Sequence, residues 1–137
     1  MFLINPLTND VIFGTVPALK RKDLNTEEGH IHLLLGQHTG PNRGYGAVHI
    51  WAEHQKELTQ KGWTTLEEVP RFVAHVLQPK VNLHFEGGNY RKTRINTIRL
   101  GAGNCILEYY LTPNPHWRVV TAYVGRSGKG ILVGTLK

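Results

Sequence analysis

Between Gly36 and His54 the chain runs Gly36-Gln37-His38-Thr39-Gly40-Pro41-Asn42-Arg43-Gly44-Tyr45-Gly46-Ala47-Val48-His49-Ile50-Trp51-Ala52-Glu53-His54. Three histidines and an arginine thus surround a glycine-punctuated turn that opens an amphipathic segment. Histidine titrates near neutral pH and can both accept and return a proton, while arginine is a fixed cation for an oxyanion. These are the parts that RNA cleavage by its own 2′-hydroxyl requires. One group removes that proton, another protonates the leaving oxygen, and donors or cations surround the phosphate.

The charge is placed where such a substrate would need it. Residues 80–137 hold nine Lys/Arg against the two acids Glu86 and Glu108, whereas residues 1–79 hold seven bases against eight acids. The net charge of +6 therefore belongs to the C-terminal half. Clustered bases in a chain of pI 9.7 are the electrostatic footprint of a phosphate-bearing partner.

Other chemistries fit the spacing poorly. His49 and His54 lie five apart, about 140° around a helix, so they do not form a His-Glu-x-x-His zinc pair. His30 and His32 point the same way on a strand and, with His38, are the residues a metal-dependent reading would use, but no carboxylate or third ligand stands beside them. Gly125-Arg126-Ser127-Gly128-Lys129-Gly130 lacks the leading glycine of a phosphate-binding Walker loop, because Tyr123 stands there. The remaining expectation is metal-free phosphodiester chemistry with no cofactor.

The elements that must position these residues follow from periodicity. Residues 2–16 predict one or two short strands, 20–28 a charged surface connection, and 30–35 a strand leading into the glycine-rich turn. Positions 48, 51, 52 and 58 predict a helical face over 46–58. Thr64 and Glu67 have capping-box spacing ahead of a second helix, which Pro70 either starts or kinks. Strands follow at 81–86, 92–100, 104–111, 117–124 and 131–136. On the fourth, alternation puts Val119, Thr121 and Tyr123 on one face and Arg118, Val120, Ala122 and Val124 on the other. Thr121 and Tyr123 then either face a site together or fill a sheet–helix interface. Trp51, Trp63 and Trp117 read as core or interface.

Helices first and strands last predict an α+β fold, N-terminal helices packed on a C-terminal twisted antiparallel sheet. A chain of 137 residues is the size of one domain, and its lone Cys105 forms no internal disulfide. Neither a secretory leader nor an apolar run of membrane-spanning length is present, so the segment is expected to be soluble.

Gly44-Tyr45-Gly46-Ala47-Val48-His49-Ile50, His54, the later helix, the basic strand pair and Val119-Val120-Thr121-Ala122-Tyr123 together resemble the C-terminal ribonuclease domains of contact-dependent growth inhibition toxins. Those domains belong to the barnase/EndoU/colicin D/RelE-like nuclease group. The resemblance covers about residues 29–136, leaving 1–28 as N-terminal strands and the charged connection. It implies His49, Arg94, Thr121, Tyr123 and His54 as catalytic residues. Lys92, Arg43, His38, Arg118, Arg126 and Lys129 are then the RNA contacts. It also implies a metal-independent endoribonuclease acting on tRNA and a cognate immunity protein, for which the basic half predicts an acidic surface. Delivery would be as the tail of a secreted effector acting in the target-cell cytoplasm, with a free-standing cytoplasmic toxin as the alternative. A different class, a non-catalytic RNA-binding module, would use the same basic sheet with Tyr90, Tyr109 and Tyr110 as stacking platforms.

Overall fold

Alternating apolar positions in the C-terminal half form the strands expected of them, and the sheet they build also recruits N-terminal residues. The computed structural model describes residues 1–88, 90–125 and 130–137; Arg126 and Lys129 therefore lie outside the described residues. The strands are β1 (Thr15–Val16), β2 (Leu19–Arg21), β3 (Leu24–Thr26), β4 (Gly29–His32), β5 (Gln37–Gly40), β6 (Arg43–Tyr45), β7 (Asn82–Phe85), β8 (Arg94–Arg99), β9 (Gly103–Tyr110), β10 (His116–Tyr123) and β11 (Ile131–Thr135). The helices are α1 (Gly46–Gln60) and α2 (Val69–Val76).

Seven strands make one sheet in the order β1-β4-β10-β9-β8-β7-β11, antiparallel except for the β4–β10 pair. The fold is mixed α+β with a large, mostly antiparallel sheet and two helices. The sheet is not purely C-terminal as the sequence predicts. Strand β4 pairs parallel with β10, bringing His30 and His32 beside His116 and Arg118. The charged connection is corrected as well: β2 and β3 form a hairpin that buries Leu19, Leu24 and Thr26 while its lysines and arginine face water.

Helix α1 packs on β10 and on the β5–β6 hairpin, and α2 packs on β8 and β9. The buried positions of α1 are Ala47, His49, Ile50 and Leu58, with Trp51 partly covered, whereas Ala52 of the expected stripe is exposed. Tertiary contact with the hairpin thus rotates the buried face toward His49. The capping box does not form either. Thr64 donates to Glu68 Oε1 at 3.1 Å, a 3-10 turn spans Leu66–Glu68, and α2 begins with Pro70 in its first turn, where a missing N–H costs nothing. One face of the sheet, carrying Ile31, Trp117, Val119, Ala122, Leu107, Cys105, Ile95 and Leu83, closes the core with Phe72 of α2. Trp117 is fully buried and Tyr109 packs on it at 4.9 Å between ring centres.

Strand β10 departs from simple alternation. Val119 pairs with Leu107 but Thr121 pairs with Ile106, so one residue is inserted as a β-bulge around Val120. Directly opposed residues share a face. The bulge therefore places Trp117, Val119 and Ala122 on the core face, and Arg118, Thr121 and Tyr123 together on the other, with Glu108, Ile106 and Asn104 of β9. The unbulged reading, which set Arg118 apart from Thr121 and Tyr123, is overturned.

Candidate active site

The glycine-rich turn is a β-hairpin that lies against the start of α1. Strands β5 and β6 pair His38 with Gly44. Gly44 has φ +143°, and a Cβ there would fall 2.2 Å from the Gln37 carbonyl oxygen and 2.8 Å from His49 Nδ1. Only glycine lets the hairpin approach the helix this closely. The α1 cap residue, Tyr45, makes no side-chain capping bond. Instead the N–H groups of Ala47 and Val48 donate to the Leu34 and Leu35 carbonyls at 2.9 and 2.8 Å, satisfying helix donors and fixing the rotation of α1.

That rotation brings His49 onto His38. Their Nδ1 atoms are 3.0 Å apart and their ring centres 5.2 Å apart at 28°. One Nδ1 must carry the proton and the other accept it, so the rings are complementary tautomers joined by one hydrogen. His49 is 5% exposed, and burial holds its pKa below the ordinary histidine value. Glu53 opposes that shift, while His38 and His54 add to it. Glu53 itself accepts the Asn42 N–H at 2.7 Å, which ties the tip of the hairpin to α1.

His54 lies further along α1, paired through Nδ1 with Glu57 and with its ring centre 5.5 Å from that of Tyr123. Thr121 shares the Tyr123 face, and its buried Oγ1 has no hydrogen-bond partner among the described residues. A buried hydroxyl without a partner costs about 1–3 kcal/mol, so it is a donor held ready at some expense. His38, His49, His54, Thr121 and Tyr123, drawn from a hairpin, a helix and a distant strand, thus form one neighbourhood. Arg43 is exposed on β6 of the same hairpin.

Arg94 and Lys92 gather elsewhere on the sheet. Arg94 Nε donates to Glu108 Oε2 at 2.9 Å, and its guanidinium lies 4.5 Å from the Tyr90 ring centre. Lys92 precedes β8 rather than sharing its face with Arg94, and its Nζ sits 4.5 Å over Tyr110. Arg118 covers Tyr110 at 4.1 Å. Tyr109 is no stacking platform, since its ring packs on Trp117 and its hydroxyl accepts the Glu27 N–H at 3.0 Å. Sequence reasoning missed His116 and Glu108, which join Arg118 and Arg94 here. The signal available was the alternation of β9, which puts Glu108 and Tyr110 on one face.

The two histidines a metal reading would use are otherwise engaged. His30 Nδ1 lies 3.1 Å from the Thr15 hydroxyl. His32 Nδ1 lies 2.9 Å from the Val11 carbonyl, and its ring stacks flat on Phe2 at 3.9 Å. Among the described residues no group of three or more His, Cys, Asp and Glu is placed to hold a metal ion. Burial drives the Cys105 thiol pKa strongly upward, making it a core group rather than a nucleophile. No helix is long and apolar enough to cross a membrane. Comparison with protein families, with curated proteins and with solved structures gave no match.

Proposed function

We propose that the chain is a metal-independent endoribonuclease, a toxin domain of the contact-dependent growth inhibition type related to the barnase/EndoU/colicin D/RelE-like nucleases. The observation that carries the reading is the His38–His49 pair, two imidazoles sharing one proton at 3.0 Å beside a helix that also presents His54 to Tyr123. A coupled pair of this kind can accept the 2′-hydroxyl proton and return one to the leaving 5′-oxygen. As the 2′-oxygen bonds to phosphorus, the bond to the 5′-oxygen breaks, leaving a 2′,3′-cyclic phosphate and a 5′-hydroxyl. Thr121 and Tyr123 donate to the phosphate oxygens, and Arg118, on the same sheet face, offsets their charge. Arg94 acts through Glu108, which it neutralises.

The substrate is RNA, with tRNA the expected target, and the partner is an immunity protein presenting an acidic surface to the basic sheet. The domain would travel on a larger secreted effector and act in the target cytoplasm. The test is incubation of the purified chain with total bacterial RNA in EDTA, beside His49→Ala. Discrete tRNA fragments with cyclic-phosphate ends, missing in the variant, are expected. Intact RNA in both samples would sink the enzymatic reading. A second reading, a non-catalytic RNA-binding module, is favoured by the three cations stacked on Tyr90 and Tyr110. It requires His49→Ala to be silent and Lys92→Ala with Arg94→Ala to abolish RNA retention.

A further inference from the structure

Away from the histidine pair, the open face of the sheet holds a second constructed cluster. Register sets Tyr110 opposite His116, and sets both Arg118 and Arg94 opposite Glu108. Both oxygens of that carboxylate are used. Arg94 Nε donates to Oε2 at 2.9 Å, and the Tyr110 hydroxyl donates to Oε1 at 2.8 Å. Arg118 has no carboxylate within salt-bridge distance among the described residues, and neither has Lys92. Three cations therefore share one acid, and the surplus sits over Tyr110.

Arg118 is held from behind. Its Nε–H donates to His116 Nε2 at 3.0 Å, and His116 Nδ1 lies 2.7 Å from the Asn114 carbonyl. A nitrogen facing a carbonyl must carry the proton, and one accepting from a guanidinium must not. His116 is thus neutral and confined to one tautomer. Its ring stacks on Tyr110 at 18°, and the Arg118 guanidinium lies 4.1 Å from the centre of Tyr110 and 5.8 Å from that of Phe2. The terminal nitrogens of Arg118 have no hydrogen bond among the described residues, so a planar fork of donors is oriented in advance and uncompensated. That arrangement suits a phosphate, which takes two parallel N–H bonds from one guanidinium. Tyr90 is 55% exposed nearby, beneath Arg94, and offers a free aromatic face of the kind on which bases stack.

We propose that this face binds the phosphodiester backbone of a single-stranded nucleic acid, with Arg118 and Lys92 on one phosphate and His116 as the positioning residue for Arg118. The inference deepens the ribonuclease reading, since the β10 bulge aligns Arg118 with Thr121 and Tyr123 and so leads the strand toward the histidine pair. Binding itself does not require cleavage. A short single-stranded deoxyoligonucleotide, lacking the 2′-hydroxyl, is the probe, and its affinity for the whole chain is read by fluorescence anisotropy across a salt series. Arg118→Gln should weaken binding about tenfold and reduce the slope of log affinity against log salt by about 0.7. Glu108→Gln, which keeps its hydrogen bonds and sheds its charge, should tighten binding, a gain that misfolding cannot mimic. His116→Phe, which keeps the ring, should weaken binding without changing the salt slope, and His116→Gln, which can still accept from Arg118, should restore it.

Unchanged affinity in Arg118→Gln and Glu108→Gln would overturn the proposal. So would inorganic phosphate that competes as well, phosphate for phosphate, as the oligonucleotide, because the site would then take an isolated anion rather than a strand. RNA cleavage measured alongside separates the two ideas. Binding that follows these variants in a chain that cleaves nothing retires the ribonuclease reading alone, and cleavage with variant-insensitive binding retires this one alone.

Discussion

His49 and His116 are 5% and 6% exposed, yet their surroundings use the imidazole in opposite ways. His49 meets another histidine across a single shared hydrogen, so the proton can reside on either ring at little cost. His116 is bonded at both nitrogens to groups that demand one tautomer, a carbonyl on one side and a guanidinium on the other. The first arrangement permits proton transfer, and the second forbids it while fixing a neighbour. A buried histidine is thus assigned to chemistry or to scaffolding by what its two nitrogens face.

The largest break in this comparison is deletion of Val120. Removing the inserted residue restores alternation in β10, which turns Thr121 and Tyr123 toward the core and Ala122 outward. A loss above about 3 kcal/mol is expected from the buried polar groups and the vacated packing, with failure to fold as the limit. Circular dichroism and urea denaturation would read it, and a stable, active deletion would refute the face assignment.

Next in size, His49→Ala should lower RNA cleavage by about 10²-fold or more while leaving oligonucleotide affinity unchanged, whereas His116→Phe should do the reverse. Fragment yield and anisotropy on the same preparations would separate the regions. Gly44→Ala should cost about 1–3 kcal/mol through its positive φ and the collision with the Gln37 carbonyl. The denaturation midpoint should drop, and cleavage should fall with it because His49 is displaced.

Thr121→Val should be neutral or slightly stabilising, since it removes a buried hydroxyl that has no partner among the described residues, yet slow cleavage about tenfold. Equal rates would leave Thr121 a packing residue. The smallest effect concerns pH. Burial lowers the pKa of both His49 and His32 below 6.5, so the unfolded chain binds protons first as pH falls. Their contribution to stability is present above about pH 6.5 and is lost below it, down to the folded pKa values. His32→Asn should flatten part of that loss in urea midpoints taken between pH 8 and pH 5.

The strands from β7 to β11 and both helices were legible because each carries its own period. Strands alternate in two, and the α2 apolar residues recur at helical spacing. The hairpin β2–β3 was not, since Lys20, Arg21 and Lys22 outweigh Leu19 and Leu24 in any local count, and the burial of those leucines depends on contacts distant in sequence. His38, His49, His54, Thr121 and Tyr123 were named from residue type and resemblance. Their convergence required the close approach at Gly44 and the bulge at Val120. Glu108 and His116 were missed because an acid in a basic half and a histidine after a proline pair carry no local signature.

What the sequence determined by itself is local: where strands and helices begin, which half is basic, and which side chains can move protons or hold phosphate. The tertiary structure decided adjacency. A parallel pairing set His32 beside Arg118, a single inserted residue chose the face on which Thr121 and Tyr123 emerge, and a glycine without a Cβ let two imidazoles meet at 3.0 Å. Each of these depends on long-range register, and a shift of one residue in register reverses every side chain that follows.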